Sequence, residues 1–230
     1  MADFYAARTG YTRAELLPAP KGGATDNFNR ADSTNLGASW TEVAGNVQIV
    51  SNEINMDGAS QTSFAAGTSA RFETDFTVNH RVTVDAVQIV EFGLNEGSWV
   101  GAVANFASAA ESYYVYLVQD KGTPEVSRLL KCTTGTFSDL VASGTQTKSL
   151  PDEIRLDVDT ASQTGFFNAT SDLSDTDTTH DANVRGGFFI GTRDSSNSSG
   201  RLDNFEIVDI GGGPAAAPVR RNFLSMGVGR

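Results

Sequence analysis

The chain has 230 residues, 39% of them apolar and 20% charged, an ordinary globular composition long enough for one large domain or two small ones. A single cysteine, Cys132, excludes an intrachain disulfide and a cysteine-based zinc site, and two histidines, His80 and His180, are too few for a histidine-rich metal centre. Of the net charge of -11, residues 1–25 carry +1 and residues 211–230 carry +3, which leaves -15 on the residues between, a body that repels nucleic acid.

The N-terminal stretch MADFYAARTGYTRAELL has no apolar run of the length a signal peptide needs, and nothing elsewhere reaches the roughly 20 apolar residues of a membrane span. The expectation is synthesis in a cytoplasm, with neither membrane nor nucleic acid as partner. Within the stretch, YTRAELL reads as a short helix ended by Pro18 and Pro20.

From residue 26 the pattern changes to period-two alternation. In RFETDFTV, Phe72, Phe76 and Val78 share one face and Arg71, Glu73 and Asp75 the other; in EIRLDVD the inward set is Ile154, Leu156 and Val158. NVQIV, RVTVDAVQIV, SWVGAVA, YYVYLVQ, EVSRLLKC, TGFFNA, GGFFIG and NFEIVDI are further strands, separated by Gly, Asn, Asp and Ser clusters. About ten short strands and scarcely any helical pattern predict a β-sandwich rather than a parallel α/β sheet. After residue 210, GGGPAAAP reads as a linker, and VRRNFLSMGVG follows it.

The body begins and ends on the same tripeptide, Asp26-Asn27-Phe28 and Asp203-Asn204-Phe205, with no similarity beyond it. Closure accounts for this better than repetition: the first and last strands of a jelly roll lie side by side, and each sends a Phe into the core. Arg30, Ser33, Leu36, Gly37 and Trp40 after the first tripeptide, SDLSDTDTTHD followed by Gly186-Gly187, and the closing RLDNFEIVDI together resemble the concanavalin A-like lectin/glucanase (LamG-like) sandwich of tailed-bacteriophage and bacterial-surface proteins. The resemblance implies an all-β, antiparallel two-sheet jelly-roll sandwich over residues 26–210, with extended N- and C-terminal arms at 1–25 and 211–230.

A glucanase of this fold needs paired carboxylates on one strand in the spacing Glu-x-Asp-x-x-Glu. Glu73 and Asp75 begin that pattern, but Val78 takes the third place, so both read as the wet face of a strand. Asp172, Asp175, Asp177 and Asp181 are spaced so that carboxylates could converge on Ca²⁺, and the resemblance to sandwich lectins points to calcium at such a loop; a solvated hairpin tip is the plainer reading. Trp99 and Tyr113 are the candidates for stacking on a glycan, Trp40 reads as a core plug, and Cys132 as a small buried apolar residue.

Arg220 and Arg221 precede Phe223, Leu224 and Met226 in a segment too short to build its own core, the pattern of an arm docked on another subunit. With the resemblance, this makes the leading expectation a non-enzymatic phage virion protein of capsid-decoration or tail-accessory type. It would assemble in the host cytoplasm, form a homo-oligomer and attach to major capsid or tail subunits. The alternative is a carbohydrate-binding adhesin recognising host surface glycans, and a third reading is a glycoside hydrolase.

Overall fold

The computed structural model describes residues 22–56, 67–90, 97–120, 124–191 and 200–210. The described residues form fifteen strands and no helix, arranged as two antiparallel sheets of a jelly-roll sandwich. The eight-stranded sheet runs β13 (Thr170–Thr176), β12 (Ser162–Phe167), β11 (Asp152–Asp159), β6 (His80–Ile89), β15 (Gly200–Asp209), β4 (Glu53–Met56), β3 (Val47–Val50), with β1 (Gly23–Asp26) also paired to β15. The seven-stranded sheet runs β10 (Thr136–Gln146), β9 (Glu125–Thr133), β8 (Tyr113–Gln119), β7 (Trp99–Phe106), β14 (Arg185–Gly191), β5 (Thr68–Phe72), β2 (Trp40–Ala44).

The alternation read in the sequence produces the core between the sheets. Val82 and Val84 of β6 and Ile154, Leu156 and Val158 of β11 face Val100 and Ala102 of β7, Tyr114 and Tyr116 of β8, and Phe188 of β14, all with no exposed surface. Each of the Val, Ile, Leu and Phe side chains among them contributes about 1.5–3 kcal/mol of transfer free energy. Gly165 of β12 makes room for the Tyr116 ring: a Cβ there would lie 2.2 Å from its Cδ2.

β7 and β8 are buried along their whole length, because their other face belongs to a second apolar cluster of Trp99, Val103, Tyr113, Val115, Leu117 and Phe189. A strand buried on both faces shows apolar residues at successive positions, and WVGAVANF is such a run.

The sandwich closes as the two tripeptides require. β1 lies antiparallel to β15 with Asp26 opposite Phe205, and Phe28 and Phe205 are both buried. Trp40 sits between them, its ring centroid 5.8 Å from Phe28 and 4.7 Å from Phe205. Asp209 fixes the end of this pair. Its carboxylate accepts from the Gly22 amide at 2.9 Å and from the Thr77 amide at 2.6 Å.

Three local readings are corrected. The sandwich starts at Gly23, inside the segment taken as the N-terminal arm. The strand expected through Val78 stops at Phe72, since the next amide, Glu73, bonds the Ser39 carbonyl, and Val78 is exposed. The acidic stretch expected as a loop is in part β13, whose polar side chains suit a strand at the sheet edge. The expected helix and both outer arms lie outside the described residues.

Candidate functional site

Residues 27–39 connect β1 to β2, crossing from the eight-stranded sheet to the seven-stranded one. The connection is organised by one carboxylate. Asp26 accepts from the Phe28 amide at 2.9 Å, from Arg30 Nη1 at 2.7 Å and Nη2 at 3.1 Å, and from Trp40 Nε1 at 2.9 Å. Burial opposes ionisation of Asp26, but the hydrogen bonds from Arg30, Trp40 and the Phe28 amide outweigh it and hold its pKa below the ordinary carboxylate value. Arg30 is pinned further by a bond from Nη2 to the Leu36 carbonyl at 2.7 Å, and its guanidinium lies 5.4 Å from the Phe28 ring centroid.

The rest of the connection is fixed by short-range turns. The Asp32 carboxylate accepts from the Ser51 amide at 2.8 Å, Asn35 Oδ1 accepts from the Gly37 amide at 2.6 Å, and Ser33 forms an isolated bridge to Ile49 of β3. Gly37 has φ +94°, a left-handed backbone that accounts for glycine there. The result is an open cleft of about 870 Å³, lined by the polar side chains of Arg30, Asp32, Ser33 and Asn35 and by Ala38 and Trp40, the last only 7% exposed.

On the other side of Asp26 lies a smaller pocket of about 300 Å³, bounded by Asp26, Asn27, Asp85, Glu153, Asn204 and Glu206. It sits beside a register shift in β15 at Asn204, whose φ is +51° and whose Nδ2 donates to Asp85 at 2.9 Å. Asp203 stands opposite Asp85, and Asp85 opposite Glu153, so like charges occupy neighbouring strands, an arrangement that costs stability. Burial, then the nearby Asp85, Glu53 and Asp26, raise the Asp203 pKa.

The candidate residues from the sequence fall elsewhere. Trp99 and Tyr113, expected as a glycan platform, have no exposed surface; the second apolar cluster takes up the face they would have offered. The four aspartates do not converge, and among the described residues no group of three or more His, Cys, Asp or Glu side chains could hold a metal ion. Two of them tie the sheets together instead. Asp172 accepts from Tyr116 Oη at 2.8 Å, and Asp177 from Tyr114 Oη at 2.7 Å and Lys131 Nζ at 2.6 Å. Asp175 stands opposite Gln163 in the β12–β13 register, and Asp181 has its pKa raised by burial and by Asp177.

Glu73 is bound by both Arg71 and Arg185, and Asp75 by Arg185, so both carboxylates are engaged in ion pairs. His80 is buried and neutral: Nδ1 donates to the Thr77 carbonyl at 2.8 Å while Nε2 accepts from the Asn105 amide at 3.2 Å. Cys132 is buried, and burial pushes its thiol up to about 11. The docking candidates Arg220, Arg221, Phe223, Leu224 and Met226 lie outside the described residues. No helix among the described residues is long and apolar enough to cross a membrane.

These two sheets define a concanavalin A-like jelly roll of the kind found in carbohydrate-binding modules and glucanases. No protein-family model and no curated protein matches the chain by sequence. Among solved structures it is similar to the carbohydrate-binding module CBM66 of Bacillus subtilis, at 11% identity over 72% of this chain and 91% of that one, with a TM-score of 0.52. It is similar to a Bacillus licheniformis β-glucanase at 10% identity, over 81% of this chain and 96% of that one, TM-score 0.52. An endo-1,3-β-glucanase from Streptomyces sioyaensis gives 10% identity, 84% and 97% coverage and a TM-score of 0.55.

The expectation of a phage virion structural protein is thereby corrected. The sequence landmarks that suggested it are those of a jelly-roll fold that carbohydrate-binding and glucan-cleaving proteins also have, and none of these three likenesses is to a capsid or tail protein.

Proposed function

We propose that the chain is a carbohydrate-binding β-sandwich that takes a short stretch of polysaccharide in the cleft between Arg30 and Trp40. The observation that carries this is the cleft itself. Its volume of about 870 Å³ falls in the range of roughly 300–1,000 Å³ common for small-molecule sites. Its lining joins an indole edge to planar and hydroxyl groups whose positions are fixed before any ligand arrives. Asn35 Oδ1 is taken by the Gly37 amide, which leaves the Nδ2 donors for sugar oxygens; Asp32 uses one oxygen on Ser51 and offers the other to sugar hydroxyls. Preorganised polar groups of this kind spare the ordering cost of binding.

The test is isothermal titration with laminarin, mixed-linkage β-glucan and xylan, together with Asn35→Ala and Asp32→Ala. Binding of one of these glycans that weakens at least tenfold in both variants is the expected result. Equal binding by wild type and both variants places the site elsewhere, and the absence of binding to any glycan refutes the reading.

Binding without hydrolysis is the form of this proposal, because Glu73 and Asp75 are committed to arginines. One observation favours a glycosidase as second reading: Asp85 and Glu153 stand directly opposite across β6 and β11 and share the smaller pocket. Release of reducing sugar from any of the three glycans, abolished by Asp85→Asn or Glu153→Gln, would select it.

A further inference from the structure

Arg30 is the basic side chain among those lining the cleft, and a free guanidinium there would favour uronic-acid or sulfated polysaccharides. The guanidinium is not free. Asp26 takes Nη1 and Nη2 in a fork, and Nη2 also donates to the Leu36 carbonyl. Of the five N–H donors of an arginine, three are thus used, and those left belong to a guanidinium whose charge is met by a carboxylate at 2.7 Å.

The same carboxylate holds the indole. Trp40 Nε1 donates to Asp26 Oδ2, while the ring is wedged among Phe72, Phe188 and Phe205 at centroid distances of 5.1, 5.1 and 4.7 Å. Asp26 therefore sets two cleft walls that belong to different elements, and it does so from behind, without needing contact with a ligand.

We propose that Asp26 is the positioning and selectivity residue of this cleft: it holds Arg30 and Trp40 in register for a neutral glycan and cancels the charge with which Arg30 would draw an acidic one. The inference rests on the carbohydrate-binding reading of the cleft. An amide at this position cannot replace the carboxylate. Arg30 donates to both oxygens, the Phe28 amide to Oδ1 and Trp40 to Oδ2, so in Asp26→Asn the new side-chain NH₂ would face an Arg30 donor whichever way it turned, and with it either the Phe28 amide or the indole.

The experiment compares the full chain with its Asp26→Asn and Asp26→Glu variants by titration with laminarin, a neutral glucan, and with alginate, a polyuronate, at low and physiological salt. Leu156→Ala, a core substitution on β11 remote from the cleft, serves as a control for general loosening. Indole and guanidinium N–H resonances of Trp40 and Arg30 are recorded for all four proteins.

Asp26→Asn is expected to weaken laminarin binding at least tenfold and to narrow the preference for laminarin over alginate by a similar factor, most visibly at low salt. Asp26→Glu should keep the preference, and Leu156→Ala should leave both affinities within twofold. An unchanged laminarin affinity in Asp26→Asn, an unchanged preference, or an equal loss in Leu156→Ala overturns the inference. If the wild type binds neither polysaccharide, the carbohydrate reading fails on its own. The positioning role is then decided by the resonances, since Trp40 and Arg30 signals that do not move between wild type and Asp26→Asn refute it.

Discussion

Removing the Asp177 side chain tests the finding that the acidic stretch staples the two sheets rather than holding a metal. Its carboxylate accepts from Tyr114 Oη at 2.7 Å, from Lys131 Nζ at 2.6 Å and from the Thr179 amide at 2.8 Å. In Asp177→Ala the Tyr114 hydroxyl keeps the Asp177 carbonyl at 3.0 Å, so the tyrosine is not orphaned, and Thr179 is exposed enough to turn to water. What is lost is one charge-assisted bond from Lys131 and one shared bond from Tyr114. Both carboxylate and ammonium are less than a quarter exposed. Hydrogen bonds to charged groups contribute about 1.5–3 kcal/mol each when well formed, and partial exposure discounts the lysine pair, so the expected cost is about 2 kcal/mol. For a domain of this size that is a fall of about 4–8 °C in Tm.

The pH dependence supplies a second reading of the same substitution. Burial opposes ionisation of Asp177, and the bonds from Lys131, Thr179 and Tyr114 outweigh it, holding its pKa well below the ordinary carboxylate value. A depressed folded-state pKa contributes stability that is complete above the unfolded value, near 4 for an aspartate, and is lost as pH falls through the folded one. Thermal melts followed by circular dichroism between pH 7 and pH 3 should therefore show the wild type losing its advantage over Asp177→Ala on the acid side of pH 4. A Tm within one degree of wild type at pH 7, or two parallel pH profiles, would refute the staple.

Phe205→Ala empties a fully buried ring site against Trp40 and Phe72, and urea unfolding should register a loss of about 3–5 kcal/mol; a loss below 1 kcal/mol would mean that closure of the jelly roll does not depend on the second tripeptide. Cys132 should resist a thiol reagent at pH 8 in the folded protein and react when urea is added, because burial raises its pKa to about 11; rapid modification of the native chain contradicts its place in the second cluster. Millimolar Ca²⁺ should leave the Tm unchanged to within a degree, and a rise of several degrees that is lost in Asp181→Asn would restore the metal reading of the acidic stretch.

The fold was legible where a strand keeps one face wet over a long run, while the short β1, β2 and β4, of four or five residues, were not read as strands. EIRLDVD alternates in sequence and alternates in space, Ile154, Leu156 and Val158 inward and Arg155 and Asp157 outward. Two further kinds of place were misread. β10 and β13 are edge strands whose outward groups are Ser, Thr and Asp, the residues that also build turns, so their composition could not separate strand from loop. Trp99 and Tyr113 failed for the opposite reason. Period two assigns them a face but not what covers it, and in β7 and β8 both faces are buried.

The cleft illustrates a third situation, in which every contributing residue was visible and its purpose was not. Arg30, Ser33, Gly37 and Trp40 stood out in the sequence as landmarks of the fold, and each has a structural role. Arg30 neutralises Asp26, Ser33 bridges to β3, Gly37 turns left-handed, and Trp40 plugs the core. Those roles also determine where the same side chains reach the surface. A connection that must cross from one sheet to the other while burying Phe28 leaves its polar groups on one side, and they line a single cleft because Asp26 draws both Arg30 and Trp40 to one point. No spacing rule in one dimension contains that convergence: Arg30 and Trp40 reach Asp26 through a connection that crosses between the sheets, and Asp26 itself stands opposite Phe205, 179 positions away in sequence. Jelly-roll closure and a candidate ligand site are therefore consequences of one constraint, and a substitution at Asp26 should perturb both, whereas one at Asn35 or Asp32 should perturb the site alone.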